Sequence, residues 1–184
     1  MNKKRENGDF LKKETKDKLI SAFIELSQHK QLDDMSISEL TALAKINRGT
    51  FYLTYEDFNG FILSLEKDVL IGFEEQLFHR AIECGLGEGM VDVFNYIHAN
   101  MSLFKVFMLD QVFVEKFEAS IDAYIATYHQ FNAAIPIDYS RAILLNTTLA
   151  IIKLWIFDPK PRAVADITEI FYKTRTLRPI DLAI

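Results

Sequence analysis

The sequence predicts an all-α protein of about nine helices, with a small N-terminal domain followed by a larger C-terminal one. Apolar residues recur every three or four positions along almost every segment, and no segment shows convincing strand-like alternation. Seven Gly and four Pro in 184 residues are too few for a turn-rich β-sandwich. A chain of this length that is 49% hydrophobic can bury a substantial core.

The first three predicted helices are closely spaced. The first covers residues 10–29. Ser36 then opens a short second helix as its N-cap, with Glu39 three residues later to complete a capping box. After a tight turn, Asn47 can cap a third helix that runs to about Leu53. Two short helices joined by a tight turn, with a third ahead of them, predict a helix-turn-helix.

Six more helices are predicted. The fourth helix of the chain begins near residue 56, and the other five cover residues 90–100, 102–109, 112–131, 138–157 and 162–176. The glycine-rich stretch 84–89 is the clearest break between them. Residues 142–157 form the longest apolar run, which is shorter than the ~20 residues of a bilayer span. We therefore expect no membrane association. Because this helix is apolar nearly all round, it should be covered on more than one side, in part by a second subunit.

Charge is unevenly distributed along the chain, whose net charge is -5. Residues 1–50 contain ten Lys or Arg against eight acids, whereas residues 51–184 contain eleven against eighteen. Seven of the basic residues lie within positions 1–18. An acidic body limits non-specific phosphate binding, and a basic arm can still attract DNA. The alternative is that this arm is a solvated, frayed terminus.

No constellation of residues predicts catalysis, so we expect a protein that is not an enzyme and needs no cofactor. Cys84 is the single cysteine, which excludes an internal disulfide, and no apolar leader opens the chain; both favour the cytoplasm. Glu75, His79 and Glu83 share a helix face that could hold a divalent ion, but a solvated charged face is the commoner meaning, and we expect no metal. Residues 85–89 lack the strand and the Lys-Ser/Thr ending of a phosphate-binding loop.

Residues 37–55 resemble the signature of the TetR/AcrR family of transcriptional regulators. The match is carried by Gly49-Thr50-Phe51-Tyr52, by Tyr55 and by the acidic start of the next helix, and it is specific over about residues 10–70. The resemblance implies a DNA-binding domain over residues 1–57, with its motif at 36–55, and an effector-binding and dimerisation domain over 58–184. It also implies a homodimeric repressor that an unknown small-molecule effector releases from a palindromic operator in double-stranded DNA.

The resemblance further implies which residues contact DNA. Ser36 would meet a phosphate, Tyr52 and Tyr55 would reach the DNA backbone, and Arg48 is suited to bidentate recognition of guanine. Asn47 could read adenine, although capping of its own helix is the role we favour. The full implied set is Ser36, Lys45, Asn47, Arg48, Gly49, Thr50, Tyr52 and Tyr55.

Three features depart from the family pattern. Lys45 stands in the turn where the family has glycine, and a left-handed lysine there would cost about 1 kcal/mol. Phe58 or Asn59 replaces a phosphate-binding lysine at the start of the fourth helix, and Glu56-Asp57 adds negative charge beside it. These departures weaken the electrostatic attraction to DNA. They support an alternative, a co-regulator of the same fold that binds a ligand or partner protein with little direct DNA binding.

The C-terminal half is rich in aromatic residues, which the resemblance places around an effector cavity, although an aromatic stripe of this kind can also be plain core. The pocket candidates are Phe94, His98, Phe104, Phe107, Phe113, Phe117, Tyr124, Tyr128, Asn146 and Trp155. By the same resemblance the last two helices would pair with those of a second subunit. Their candidate interface residues are Ile143, Leu144, Leu149, Ile152, Ile156, Val164, Ile167 and Phe171.

Overall fold

The computed structural model describes residues 3–83, 85–128 and 131–176, which form nine α-helices and contain no strand. The all-α prediction and the number of helices are therefore confirmed. The helices are α1 (Lys3–Ser27), α2 (Ile37–Leu43), α3 (Arg48–Tyr52), α4 (Phe58–Glu83), α5 (Gly85–Ala99), α6 (Met101–Phe107), α7 (Gln111–Tyr128), α8 (Ile137–Phe157) and α9 (Val164–Thr176), with one 3₁₀ turn at Leu32–Asp34.

The chain forms two compact units, residues 1–65 and residues 66–184. Helix α4 contributes residues 58–65 to the first unit and residues 66–83 to the second. In the first unit α2 packs against both α1 and α3. An aromatic cluster forms its centre, where Phe61 lies between Phe23 and Phe51 at ring-centroid distances of 6.0 and 5.9 Å, and all three rings are fully buried. This cluster fixes α3 relative to α1 and the start of α4.

The second unit packs α5 against α9, α7 against α8, and α6 against both α5 and α8. Its core is dominated by phenylalanine. Phe104 meets Phe73, Phe113 and Phe117 in edge-to-face geometry, with centroids 5.8 to 6.4 Å apart. Such pairs stabilise a core beyond their buried area, by roughly 0.5–1.5 kcal/mol each.

The glycine-rich stretch is more helical than the sequence predicts. Helix α5 begins at Gly85, five residues before the predicted start at Met90. Glycine disfavours helix interiors by about 1 kcal/mol, but tertiary packing routinely outweighs propensity. Met90 and Val93, one turn further on, are buried. Cys84 lies outside the described residues.

Helices α4 and α5 approach closely at Gly72. The Tyr96 hydroxyl donates a hydrogen bond to the Val69 carbonyl at 3.1 Å, and a Cβ atom on Gly72 would lie 2.2 Å from that hydroxyl. Burial raises the pKa of Tyr96 to about 12, and the nearby carboxylates of Asp68 and Glu75 add to the effect. Glycine at position 72 is therefore required by the tyrosine that crosses it.

Helix α8 is longer than the apolar run that predicted it. Its 21 residues begin at Ile137, and by length and composition alone it is long and apolar enough to cross a membrane, with a mean hydropathy of 1.4 over its most apolar window. The length argument against a bilayer span is therefore wrong. Only 28% of that window is buried within the chain, so much of the helix is available to a partner.

Candidate nucleic-acid interface

The N-terminus of α2 carries the predicted capping box. The Ser36 hydroxyl oxygen accepts from the Glu39 N–H at 3.2 Å, while Glu39 Oε2 accepts from the Ser36 N–H at 3.2 Å. The Ser36 hydroxyl also donates to Glu39 at 2.8 Å. Lys30 pairs with the other oxygen of Glu39, and these hydrogen bonds from Lys30 and Ser36 hold the pKa of Glu39 below its usual range. A phosphate could therefore receive the Ser36 proton only by displacing Glu39.

The turn between α2 and α3 is a Schellman motif with lysine at its left-handed position. The Ile46 N–H donates to the Thr41 carbonyl at 3.0 Å, and the Lys45 N–H donates to the Ala42 carbonyl at 3.1 Å. Lys45 has a φ of 56°, the one positive φ of a non-glycine residue in the described part of the chain. Its side chain is exposed. Lysine thus stands in a left-handed conformation that costs a non-glycine residue roughly 1–2 kcal/mol.

Helix α3 is short, capped and largely exposed. The Asn47 side chain accepts from the Gly49 N–H at 2.8 Å, which confirms its role as the N-cap. Arg48 and Gly49 are exposed, Thr50 is partly exposed and Tyr52 is 49% exposed. Phe51 is fully buried and anchors this helix in the core.

Leu53, at the C-cap of α3, is 86% exposed and was not among the predicted contacts. The sequence signal for it is the run Phe51-Tyr52-Leu53, because three successive apolar residues on one helical turn cannot all face the core. An apolar side chain at the end of α3 has the chemistry that can contact a thymine methyl group.

Tyr55 lies in the aromatic cluster and is only 8% exposed, with its ring 5.1 Å from Phe61 and 5.4 Å from Phe51. Its ring therefore belongs to the core, and it meets solvent at the wall of an open groove. That groove has a volume of about 560 Å³ and is lined by Lys13, Lys16, Thr54, Tyr55, Glu56, Gly60 and Ser64. Two lysines of the basic N-terminal segment thus reach the same groove as Tyr55.

The start of α4 is acidic for a structural reason. Asp57 precedes the helix, and its Oδ1 accepts from the Gly60 N–H at 2.7 Å, as an N-cap does. Glu56 and Asn59 are exposed, and Phe58 lies partly buried against Phe61 at a centroid distance of 6.2 Å. Neither Phe58 nor Asn59 can supply the positive charge that the family pattern has at this position.

The aromatic pocket candidates lie mostly in packed core. Phe94, Phe104, Phe107, Phe113 and Phe117 have no exposed surface. Trp155 is 3% exposed and donates its indole N–H to the Arg162 carbonyl at 2.9 Å. The polar candidates lie at the surface: His98 stacks over Trp155, and Asn146 donates to the Ala142 carbonyl within its own helix. Tyr128 is partly buried beside Phe78 and Tyr124.

The second unit contains a cavity of about 40 Å³. Of the ten pocket candidates, only Tyr124 lines it. Burial raises the pKa of Tyr124, and the neighbouring Tyr128 and Tyr172 add to the shift. The cavity is lined by Phe73, Leu77, Met90, Val93, Ile121, Tyr124, Ile125, Leu144, Thr148, Ile152, Phe171 and Arg175. That Arg175 lines a pocket was not predicted from the sequence. The signal that could have indicated this is its position on a half-apolar helix, one turn after Phe171 and Tyr172.

The dimer candidates divide by exposure. Leu149, Ile152, Ile156, Ile167 and Phe171 are each at most 8% exposed and are covered by their own chain. Leu144 and Val164 are partly buried, and Ile143 is 56% exposed. Leu154 and Phe157, which were not among the candidates, are 75% and 43% exposed on the same helix. The available apolar surface of α8 therefore runs through Ile143, Leu154 and Phe157.

The described residues contain no group of three or more His, Cys, Asp or Glu that could hold a metal ion. Of the helix face considered from the sequence, Glu75 is exposed, and the side chains of His79 and Glu83 lie outside the described part.

Comparison with solved structures shows which proteins share this fold. A TetR transcriptional regulator from Streptococcus agalactiae 2603V matches with a TM-score of 0.64 and 20% identity, over 95% of this chain and 99% of that one. A transcriptional regulator of the TetR/AcrR family from Aquifex aeolicus VF5 matches with a TM-score of 0.68 and 14% identity, over 92% and 99% of the two chains. No protein-family model and no curated protein sequence matches. The chain therefore has the fold of TetR-type regulators, the family that residues 37–55 resemble.

Proposed function

We propose that the chain is a TetR-type DNA-binding regulator, a homodimeric repressor that a small-molecule effector releases from a palindromic operator. The observation that carries the proposal is the exposed face of α3. Arg48 begins this helix, Lys45 precedes it in a fixed turn and Tyr52 ends it, while Phe51 anchors it in the core. The similarity of fold to known transcriptional regulators supports the same function.

In this proposal the exposed side chains divide into two classes of contact. Arg48 reads a base, because its planar fork matches the two acceptors of guanine. Lys45 and Tyr52 contact phosphates, and Lys13 and Lys16 add phosphate contacts from the groove beside Tyr55. Asn47 keeps its capping role and positions Arg48, since its side-chain oxygen is committed to Gly49.

Dimerisation is proposed to use the exposed stripe of α8. Ile143, Leu154 and Phe157 form an apolar surface that the chain itself leaves uncovered. A two-fold dimer places two recognition helices about one DNA turn apart, roughly 34 Å, which is the geometry that a palindrome requires. Because a dimer contact accounts for the long apolar helix α8, we interpret α8 as part of a protein interface and not as a membrane span. We accordingly propose that the protein is cytoplasmic.

A co-regulator that binds DNA weakly is the second candidate. The specific observation in its favour is the start of α4, where Phe58 and Asn59 occupy the position of the family lysine and Glu56 and Asp57 add two negative charges. Each lost phosphate contact reduces both affinity and its dependence on salt. Such a protein would act through a partner protein or a ligand.

A gel-shift titration at about 50 and 200 mM salt, with DNA from upstream of the protein's own gene, tests the proposal. Direct repression predicts binding that weakens steeply with salt and prefers a palindrome. Arg48→Ala should lower affinity by roughly 5- to 150-fold and relax the base preference, because a good bidentate contact is worth about 1–3 kcal/mol. The matched control is Arg162→Ala, which removes an exposed arginine from the second unit and should leave DNA binding unchanged. Absence of palindrome-selective binding at the lower salt would favour the co-regulator.

A further inference from the structure

Arg175 is a partly buried cation at the wall of the cavity in the second unit. Its guanidinium donates to the Thr148 hydroxyl at 2.5 Å, to the Thr147 hydroxyl and, at 3.5 Å, to the Leu144 carbonyl, and it lies 4.7 Å from the ring centroid of Phe171. Desolvation lowers the pKa of Arg175. No Asp or Glu of the described residues forms an ion pair with it.

An arginine in this position is unusual on physical grounds. A guanidinium that is taken out of water without a counter-ion loses hydration that neutral hydroxyl and carbonyl partners restore only in part. Its three hydrogen bonds use at most three of its five N–H donors. The remaining donors, and a charge that no carboxylate of the described residues pairs with, are suited to an anion.

The rest of the cavity is almost entirely apolar. Phe73 and Leu77 of α4, Met90 and Val93 of α5, and Ile121 of α7 contribute to its wall, and Thr148 and Arg175 form its polar end. An apolar chamber with one cationic end is complementary to a molecule with an apolar body and one negative charge. The planar fork of arginine matches the two oxygens of a carboxylate.

We propose that this cavity is the effector site and that its ligand is a small amphipathic carboxylate. The carboxylate binds Arg175 and the Thr148 hydroxyl, and the apolar body lies against Phe73, Leu77 and Val93. The inference rests on the proposed function, of which it specifies the effector class. A monoanion is favoured over a phosphate monoester because a single guanidinium faces the cavity.

Binding requires the cavity to widen. Its volume of about 40 Å³ admits water but no larger molecule. Ligand pockets commonly enclose about 300–1,000 Å³. Phe73 and Leu77 belong to α4, so a ligand that widens the cavity displaces side chains of this helix. Residues 58–65 of the same helix belong to the first unit, the proposed DNA-binding unit. The ligand therefore selects a different arrangement of α4, as an effector must.

Isothermal titration calorimetry of the full chain, with octanoate and octan-1-ol as matched probes below micelle formation, tests the proposal. Wild type should bind one octanoate per chain, at least tenfold more tightly than octan-1-ol, because a hydrogen bond to a charged group contributes more than a neutral one. Arg175→Met should abolish that preference. Arg175→Lys, which keeps the charge, should restore part of it, and Thr148→Val should reduce it several-fold.

Lys173→Met is the control, since Lys173 lies on the same helix but is exposed and paired with Glu169 at 2.6 Å; it should bind octanoate as wild type does. Equal affinity for the two probes in wild type, no octanoate binding, or a preference that survives Arg175→Met would each overturn the proposal. A parallel gel-shift titration separates it from the proposed function. Specific DNA binding without octanoate binding contradicts only the effector class, and octanoate binding without DNA binding contradicts only the proposed repressor.

Discussion

Replacing Lys45 with glycine should make the protein more stable and weaken its binding to DNA. Lys45 has a φ of 56° at the left-handed position of the Schellman motif that joins α2 to α3. Glycine adopts this conformation without a steric penalty, so Lys45→Gly relieves the backbone. The same substitution removes an exposed positive charge from the proposed DNA-binding surface.

The magnitude follows from two opposing free energies. A left-handed conformation costs a non-glycine residue roughly 1–2 kcal/mol. Glycine gains about 0.4–1 kcal/mol of conformational freedom in the unfolded chain, which opposes the benefit. The free energy of unfolding should therefore rise by about 0.5–1 kcal/mol. For DNA, the slope of log affinity against log salt should fall by about 1 for each lost phosphate contact.

Lys45→Ala is the matched control, because it removes the same charge but keeps a side chain at the left-handed position. Hydrogen exchange of the amides in α2 and α3 measures local stability, and urea unfolding followed by circular dichroism measures it for the whole chain. Lys45→Gly should exchange more slowly than Lys45→Ala, whereas the two variants should lose the same DNA affinity. If Lys45→Gly were no more stable than Lys45→Ala, the strain assigned to this turn would be refuted. If neither variant changed the salt slope, Lys45 would not contact a phosphate.

Three further predictions concern the second unit. Gly72→Ala should lower the free energy of unfolding by about 1–3 kcal/mol in urea titrations, because the added methyl would lie 2.2 Å from the Tyr96 hydroxyl; the cost should largely vanish in a Tyr96→Ala background. Burial raises the pKa of Glu66, so the charged carboxylate destabilises the fold. The free energy of unfolding of wild type should therefore fall relative to that of Glu66→Gln as the pH rises above about 4.3, the pKa of glutamate in an unfolded chain. Parallel curves of unfolding free energy against pH for the two proteins from about pH 4 to 8 would contradict this. Leu154→Arg should convert the proposed dimer to a monomer in sedimentation velocity, whereas Leu109→Arg, which is similarly exposed but distant in sequence from α8, should sediment as wild type does.

The helix-turn-helix could be predicted residue by residue because its determinants are local. The capping box at Ser36 and Glu39 and the Asn47 cap each join groups only two or three residues apart, and all are present as predicted. Lys45 could be identified as the residue at risk of strain because the family signature that residues 37–55 resemble has glycine at this position. Hydrogen bonds of such short range depend little on the rest of the fold.

The pocket and the dimer surface depend on packing between distant segments, and the sequence left them open. Helix α8 is apolar nearly all round, so its periodicity could not distinguish Ile152, which its own chain buries, from Leu154, which remains exposed. The family resemblance placed an effector cavity among aromatic residues that include Phe104, Phe113 and Phe117, with plain core as the alternative, and these rings fill the space between them. Arg175 meets Thr148 across 27 positions, a contact that no local pattern encodes.

Selection of binding sites from a pool of random DNA by the purified full chain tests the central claim most directly. A dimer that places two α3 helices in successive major grooves should enrich an inverted repeat whose half-sites lie one helical turn apart, about 10–10.5 base pairs between centres. Arg48→Ala should lose the preference for guanine at one position of each half-site. Enrichment of an unpaired half-site, or of no sequence at all, would contradict the claim that this chain is a dimeric DNA-binding repressor.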